Sequence, residues 1–293
     1  MDGATPIEDA RSRDEIQRRV ASVVGLGLAR EVEEYFEHGA RVRPGDVVVD
    51  VGANVGAFAV AVAARTGSDV SIHCFEPAHP IFAQLEKHFA DHAILRATRH
   101  ELHAVALCGP EQHGQVRPFY YFRRFPTDST YDLEHKLRGF RVYFRRAAAD
   151  LLERTSTRSL PTRAAAYAIS RTLHILTRDE SKLGVWLTKQ VTDMRELRCE
   201  LASLDHVLHE RGITRVDLLK IDVEGAELDV LRGCGDAWPM IQRVVVETDS
   251  RGGRADAVTQ LLVDRGLRIT SSRSPSVSIE GDRDLVLICA ERG

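Results

Sequence analysis

The sequence predicts an α/β protein built on a doubly wound, mostly parallel sheet. Three observations carry that prediction. The run Val47-Val48-Val49-Asp50-Val51 suits a strand buried on both faces, and it breaks at Gly52 and Gly56 into the Ala/Val-rich stretch Ala57–Arg65, which reads as a helix. Leu218–Ile221 repeats the pattern and turns at Gly225 into a helix at Ala226–Leu231. Val244–Glu247 is a further strand, and in a doubly wound sheet these three strands lie side by side with their carboxyl ends together, where such sheets bind ligands.

The remaining elements follow in order. Apolar residues at helical spacing from about Asp14 to Phe36 (Ile16, Val20, Leu28, Val32, Phe36) predict one or two helices packed on the sheet, or alternatively a gate over the site. Pro44-Gly45 leads into the first strand. Val70–Phe75 is the second strand, Pro80 opens a helix to about Ala90, and Glu101–Leu107 is the third strand. His103 reads as a plain strand residue in preference to a ligand contact. Ala164–Leu176 and Leu183–Leu197 are predicted helical. Arg254–Arg265 is a helix stopped by Gly266, and Leu267–Thr270 with Asp284–Ala290 reads as a closing antiparallel hairpin at the sheet edge.

Composition bounds the possibilities. With 293 residues and a formal charge of −3, the chain has enough material for one large domain carrying an insertion. No apolar run is long enough to cross a membrane, and the polar start MDGATPIEDARSRDE does not read as a secretory signal. The five cysteines form no C-x-x-C pair, so neither a disulfide framework nor a cysteine zinc site is expected; buried free thiols in a reducing cytoplasm fit better.

The glycine turn has a chemistry of its own. Its spacing is G-x-x-x-G, with Asn54 where a dinucleotide fingerprint has its second glycine, which disfavours a pyrophosphate. Asp50 at the strand end would repel phosphate and attract an ammonium group. Asp50-x-Gly52-x-Asn54-x-Gly56 therefore suits a nucleoside carrying an amino acid. Glu76, at the end of the next strand, is placed to accept both ribose hydroxyls. Here the chain resembles a class I S-adenosylmethionine (SAM) methyltransferase.

The second constellation is Val216-Asp217-Leu218-Leu219-Lys220-Ile221-Asp222-Val223-Glu224-Gly225-Ala226-Glu227. Asp50, Asp222 and Glu247 are expected at neighbouring strand ends. Lys220 is out of place in a central strand unless paired. It reads either as half of an ion pair with Asp222 or Glu247, or as the group that orients a carboxylate taking the substrate proton. Asp222 is the first choice of general base and Glu247 the second. The acid cluster permits Mg²⁺, although no metal-ligand spacing demands it.

VVVDVGANVGAF, FEP, SLD at Ser203–Asp205, VDLLKIDVEGAELDVLRG and VVVE together resemble the FkbM family of SAM-dependent O-methyltransferases. The resemblance implies a Rossmann-like, seven-stranded, mostly parallel sheet with an antiparallel edge strand. The residues themselves are read as one such domain over 1–293, with an N-terminal helical segment over 1–43 and, because an open α/β sheet needs only one helix between strands, an insertion over about 112–198 between the third and fourth strands. The resemblance also implies SAM as donor and a hydroxyl acceptor on a sugar, glycan or polyketide-type metabolite. Asp50, Gly52, Asn54 and Gly56 would hold the methionine end, Glu76 the ribose, and Asp222 would lie beside the methyl group.

The insertion matches no motif. Between Arg117 and Arg163 it carries eleven Lys/Arg against five Asp/Glu, and half the chain's aromatics, including Phe119–Phe122, Phe125, Tyr131, Phe140, Tyr143 and Phe144. Two readings stay open: part of an acceptor site, or a solvated lid whose aromatics pack on the core or on a second subunit of a homo-oligomer. The same residues raise a nucleic-acid methyltransferase as an alternative. Asp222-Val223-Glu224-Gly225 argues against it, since it holds no aromatic to stack a base and no cysteine nucleophile. A non-catalytic SAM-binding protein is the third reading.

Overall fold

The computed structural model describes residues 6–126, 160–177, 189–273 and 285–293, with isolated positions between 129 and 155 and residue 186. Tyr131, Phe140, Tyr143, Phe144 and Asp284 lie outside the described residues. The chain divides into two compact units, one formed by Met1–Pro118 with Arg198–Gly293, the other by Phe119–Leu197.

In the first unit two helices, α1 (Pro6–Val24) and α2 (Leu26–Glu37), precede the sheet. Gly25, at φ 89°, breaks what would otherwise be one helix. Strand β1 (Asp46–Val51), helix α3 (Ala57–Thr66), strand β2 (Val70–Phe75), helix α4 (His79–Asp91) and a single helical turn, α5 (Ala93–Arg96), follow. The expected third strand divides. Arg99–His103 (β3) pairs with β2, whereas Val105–Leu107 (β4) leaves the main sheet and pairs with the end of a later strand. Ala104 alone separates the two strands.

The chain passes between the units in β5 (Val116–Phe122) and β6 (Met194–Ala202). The second unit contains α6 (Leu160–Thr177) and an ion pair of Arg123 with Asp193 at 3.0 Å. The expectation of helix up to Leu197 fails, since Met194 onward is strand. Cys199 and Leu201 are buried while Arg198 and Glu200 are exposed, a period of two that overrides the helical preference of Leu, Glu and Arg.

Back in the first unit come α7 (Leu204–Glu210), β7 (Leu218–Asp222), α8 (Glu227–Arg232), β8 (Arg243–Asp249), α9 (Arg254–Asp264), β9 (Leu267–Arg273) and β10 (Leu285–Arg292). The main sheet has seven strands in the order β3-β2-β1-β7-β8-β10-β9. All its pairs are parallel except those of β10, which runs antiparallel to both β8 and the edge strand β9. The Rossmann-like α/β class and the adjacency of the first strand with β7 and β8 are as the sequence predicts.

Both faces of the sheet are covered. Val48, Ile72 and Leu218 pack with α3 on one face, and Val49, Val51, Leu219, Ile221 and Val246 pack with Leu208, Leu231 and Leu262 on the other. Burial on both sides explains why these strands read as unbroken apolar runs. The five cysteines are free and buried. No helix among the described residues is long and apolar enough to cross a membrane.

Candidate active site

The site lies at the carboxyl ends of β1, β2, β7 and β8. The turn after β1 uses left-handed backbone at alternate residues, with φ 75° at Gly52, 49° at Asn54 and 89° at Gly56. Asparagine is among the few side chains that tolerate this conformation, which accounts for the Gly-x-Asn-x-Gly order. Gly52 has a second reason to be glycine. A Cβ there would lie 1.8 Å from the Asp222 carbonyl oxygen, so the two strand ends close on each other only without it. A Cβ on Gly56 would meet Leu85 of α4 at 2.9 Å.

Glu76 knits this turn to the next strand end. Its Oε2 accepts the Asn54 N–H at 3.1 Å and its Oε1 accepts the Ala78 N–H at 2.9 Å. Burial pushes its pKa up to about 7, against the lowering effect of those two N–H donors. Each carboxylate oxygen retains a further lone pair for a ligand donor.

Lys220 sits at the centre. Asp50 and Lys220 face each other in register across β1 and β7. The ammonium Nζ lies 3.1 Å from Asp50 Oδ1 and 3.4 Å from Asp222 Oδ2, and donates to the Gly52 carbonyl at 3.0 Å. The Tyr35 and Phe58 rings flank it at 5.7 and 5.8 Å. Asp50 is fully buried, and burial raises its pKa while Lys220 lowers it. The acids around Lys220 outweigh its own desolvation and hold it charged, above the ordinary lysine range. The sequence pairs Lys220 with Asp222 or Glu247; the structure brings it to Asp50 and Asp222.

Glu247, on β8, meets a residue that the sequence reading missed. The Tyr35 hydroxyl, on α2, contacts Glu247 Oε2 at 2.8 Å and Asp222 Oδ2 at 3.0 Å. Glu31 lies one helical turn earlier on the same face, and its pKa is raised to about 7 by burial and then by the Asp222 charge. The signal was present as Glu31 and Tyr35 flanking Val32 in an apolar stripe, but a helical pattern does not say what its buried face meets.

The motif around β7 also contains residues that build the fold. Asp217 accepts the Val47 N–H at 2.9 Å and the Arg215 Nε–H at 2.7 Å, fixing β7 beside β1. Glu227 accepts the Gly225 N–H at 2.9 Å and pairs with Arg254 at 3.2 Å, clamping the loop after β7.

A nucleoside with an ammonium-bearing tail fits this set of groups better than a phosphate would, because the strand ends present Glu76 and Asp222 as acceptors. For Mg²⁺ the fit is poor. The Tyr35 hydroxyl stands between Asp222 and Glu247, and the Lys220 ammonium stands between Asp222 and Asp50, so these acids do not converge on a common point.

The methyltransferase FkbM domain matches residues 50–269 of the chain. The chain is 32% identical over 243 residues to the 31-O-demethyl-FK506 methyltransferase FkbM of Streptomyces tacrolimicus, covering 82% of this chain and 80% of that one. It is 28% identical over 236 residues to methyltransferase sdnD of Sordaria araneosa, covering 78% and 75%. It also shares 30% identity over 244 residues with the AMB antimetabolite synthetase AmbE of Pseudomonas aeruginosa, a match that spans 81% of this chain and 10% of that protein.

Proposed function

The chain belongs to the FkbM methyltransferase family, and from that premise we propose that it is a SAM-dependent O-methyltransferase acting on a hydroxyl of a sugar, glycan or polyketide-type metabolite. The observation that carries this reading is the Asp222 carboxylate beside Lys220 at the strand ends, a base held in place at a site with a nucleoside-type cradle. The name of the Streptomyces tacrolimicus relative, which specifies an O-demethyl substrate, supports oxygen as the atom methylated.

Gly52, Asn54, Gly56 and Glu76 are the residues that would hold SAM. When bound, SAM supplies a methyl group already activated on a sulfonium. The chain's own residues then need only hold the acceptor oxygen in line and move one proton. A sugar hydroxyl is a weak nucleophile, and Asp222 accepts its proton. Lys220 fixes the Asp222 carboxylate and balances its charge. Asp50, fully buried against Lys220, acts through that ammonium and not on the ligand directly. Tyr35, itself in contact with Glu247, meets the same Asp222 Oδ2 as Lys220, so the two together orient the carboxylate and leave Oδ1 to the acceptor.

The test is methyl transfer from labelled SAM to a panel of glycans and hydroxylated metabolites, with and without chelator, followed by identification of the product bond. A methyl ether formed equally well with chelator supports the proposal. Transfer to nitrogen or carbon, or tight SAM binding with no transfer to any hydroxyl compound in the panel, would overturn it.

A further inference from the structure

The sheet edge formed by β2 and β3 brings together three ligand-type side chains that the methyl-transfer chemistry does not use. His73 and Glu101 face each other in register, and His103, two residues after Glu101, shares their face. His73 Nδ1 lies 4.0 Å from Glu101 Oε2, and His103 Nε2 lies 3.7 Å from the same oxygen. One ligand atom from each of the three lies within 4.8 Å of the other two.

Both imidazoles are more than nine-tenths buried, with side chains 9% exposed, and these two nitrogens have no hydrogen-bond partner among the described residues. Leaving a buried polar atom unsatisfied costs on the order of 1–3 kcal/mol, so two of them aimed at one carboxylate oxygen call for a common partner. The rings are held in place. His103 stacks on Phe75 at 4.4 Å and 11°, and on His73 at 6.0 Å and 21°.

We propose that His73, Glu101 and His103 form a three-ligand site for one Zn²⁺ ion, with water completing the coordination, which fastens the edge strand β3 to β2. Two imidazoles and one carboxylate suit zinc, whereas Mg²⁺ and Ca²⁺ take oxygen ligands. Tetrahedral ligands at zinc distances sit about 3.3 Å apart, so closing on the ion requires movement of roughly 1 Å. Glu101, with a side chain 43% exposed, has the freedom to supply it. Arg211, at the end of α7, competes for the same oxygen: its Nε lies 3.6 Å from Glu101 Oε2, and its side chain is 47% exposed. The guanidinium supplies positive charge where the cation would, and it swings into solvent when the ion binds.

The test uses the full chain, stripped with chelator, and titrates it with Zn²⁺ by calorimetry and with Co²⁺ by visible absorption. One equivalent should bind, with a tetrahedral Co²⁺ spectrum. Glu101→Gln and His103→Asn should each weaken binding by at least about tenfold. Arg211→Gln should tighten it, an outcome that a purely structural Glu101–Arg211 pair would not give. Zn²⁺ should raise the Tm of the wild type but not of Glu101→Gln. The exposed control His209→Asn should change nothing. His73 is the most buried of the three and its variants can fail to fold, so the other two ligands carry the test. If the wild type binds no more Zn²⁺ than the Glu101→Gln/His103→Asn double variant, or if the loss follows His209→Asn instead, the site does not exist.

Discussion

The Tyr35 hydroxyl stands 2.8 Å from Glu247 Oε2, and the same hydroxyl stands 3.0 Å from Asp222 Oδ2. A phenol has one proton to donate, so only one of these contacts can be a donation by Tyr35. The other requires a proton held on a carboxyl. Burial, followed by the charge of Asp222, pushes Glu247 well above the carboxylate range. Asp222 is one-third exposed and has the Lys220 ammonium at 3.4 Å. Glu247 is therefore the acid that keeps its proton and donates to Tyr35, and Tyr35 donates to Asp222. The relay and Lys220 both meet Asp222 at Oδ2, which leaves Oδ1 to face a substrate proton.

That protonation pattern separates two variants that look alike. Asp222→Asn removes the proposed base and should cut single-turnover methyl transfer by about 10²–10⁴-fold, the usual worth of general acid–base help. Glu247→Gln only replaces a protonated acid with its neutral isostere and should cost less than about tenfold. Equal losses in the two variants, measured where chemistry limits the rate, would show that the proton does not reside on Glu247.

Tyr35→Phe keeps the ring beside Lys220 and Phe58 but removes the relay's middle oxygen. A hydrogen bond to a charged group is worth about 1.5–3 kcal/mol, so turnover should fall roughly tenfold to a hundredfold. SAM affinity should stay close to wild type, because Tyr35 touches the acids and not the glycine turn. A change in SAM affinity as large as the change in turnover would place Tyr35 in the cofactor site instead.

Three glutamates push the pH dependence of stability in one direction, with Glu247 beside them, while His103, lowered to about 4 by burial, opposes them only below about pH 6.5. Glu31, Glu76 and Glu227 each have a folded pKa of about 7 against an ordinary 4.5, with burial the largest cause in each case. Between those values the folded chain binds more protons than the unfolded one, so stability falls as pH rises through this window. The Tm should be higher near pH 5.5 than near pH 8, and Glu76→Gln should flatten the difference. A Tm that climbs with pH over that range would contradict the shifts.

The parts of this fold legible in the sequence were those with a local cause. β1, β2, β7 and β8 are buried on both faces and show as β-branched runs, and the left-handed turn at Gly52, Asn54 and Gly56 shows in its residue types. Lys220 was recognisable as anomalous, but its partnership with Asp50 depends on the register of β1 against β7, which is a tertiary fact. The same holds for Tyr35, whose hydroxyl reaches acids 187 and 212 positions away in the chain. The split of β3 from β4 was hidden because single edge residues such as Ala104 carry little signal. Glu101 and His103 looked like ordinary strand residues, because nothing in the local pattern announces His73 across the strand.

The Lys220–Asp50 pair gives the sharpest test of what holds the site together. Asp50 is fully buried, and Lys220 is the one cation within ion-pair distance of it among the described residues. Breaking a buried pair by removing one partner costs about 3–5 kcal/mol, because the remaining charge is left uncompensated. Lys220→Met should therefore destabilise the protein strongly at pH 8, measured by denaturant unfolding. Asp50 without its cation escapes the penalty by taking up a proton. An acid with a raised folded pKa contributes its stability at low pH and loses it as pH rises, so Lys220→Met should lie closer to wild type at about pH 5. Adding Asp50→Asn removes the charge altogether: the double variant should be more stable than Lys220→Met at pH 8, and the extra pH dependence should vanish. If Lys220→Met costs the same at both pH values, the penalty comes from lost packing against Tyr35 and Phe58, and the ion pair is not what organises the strand ends.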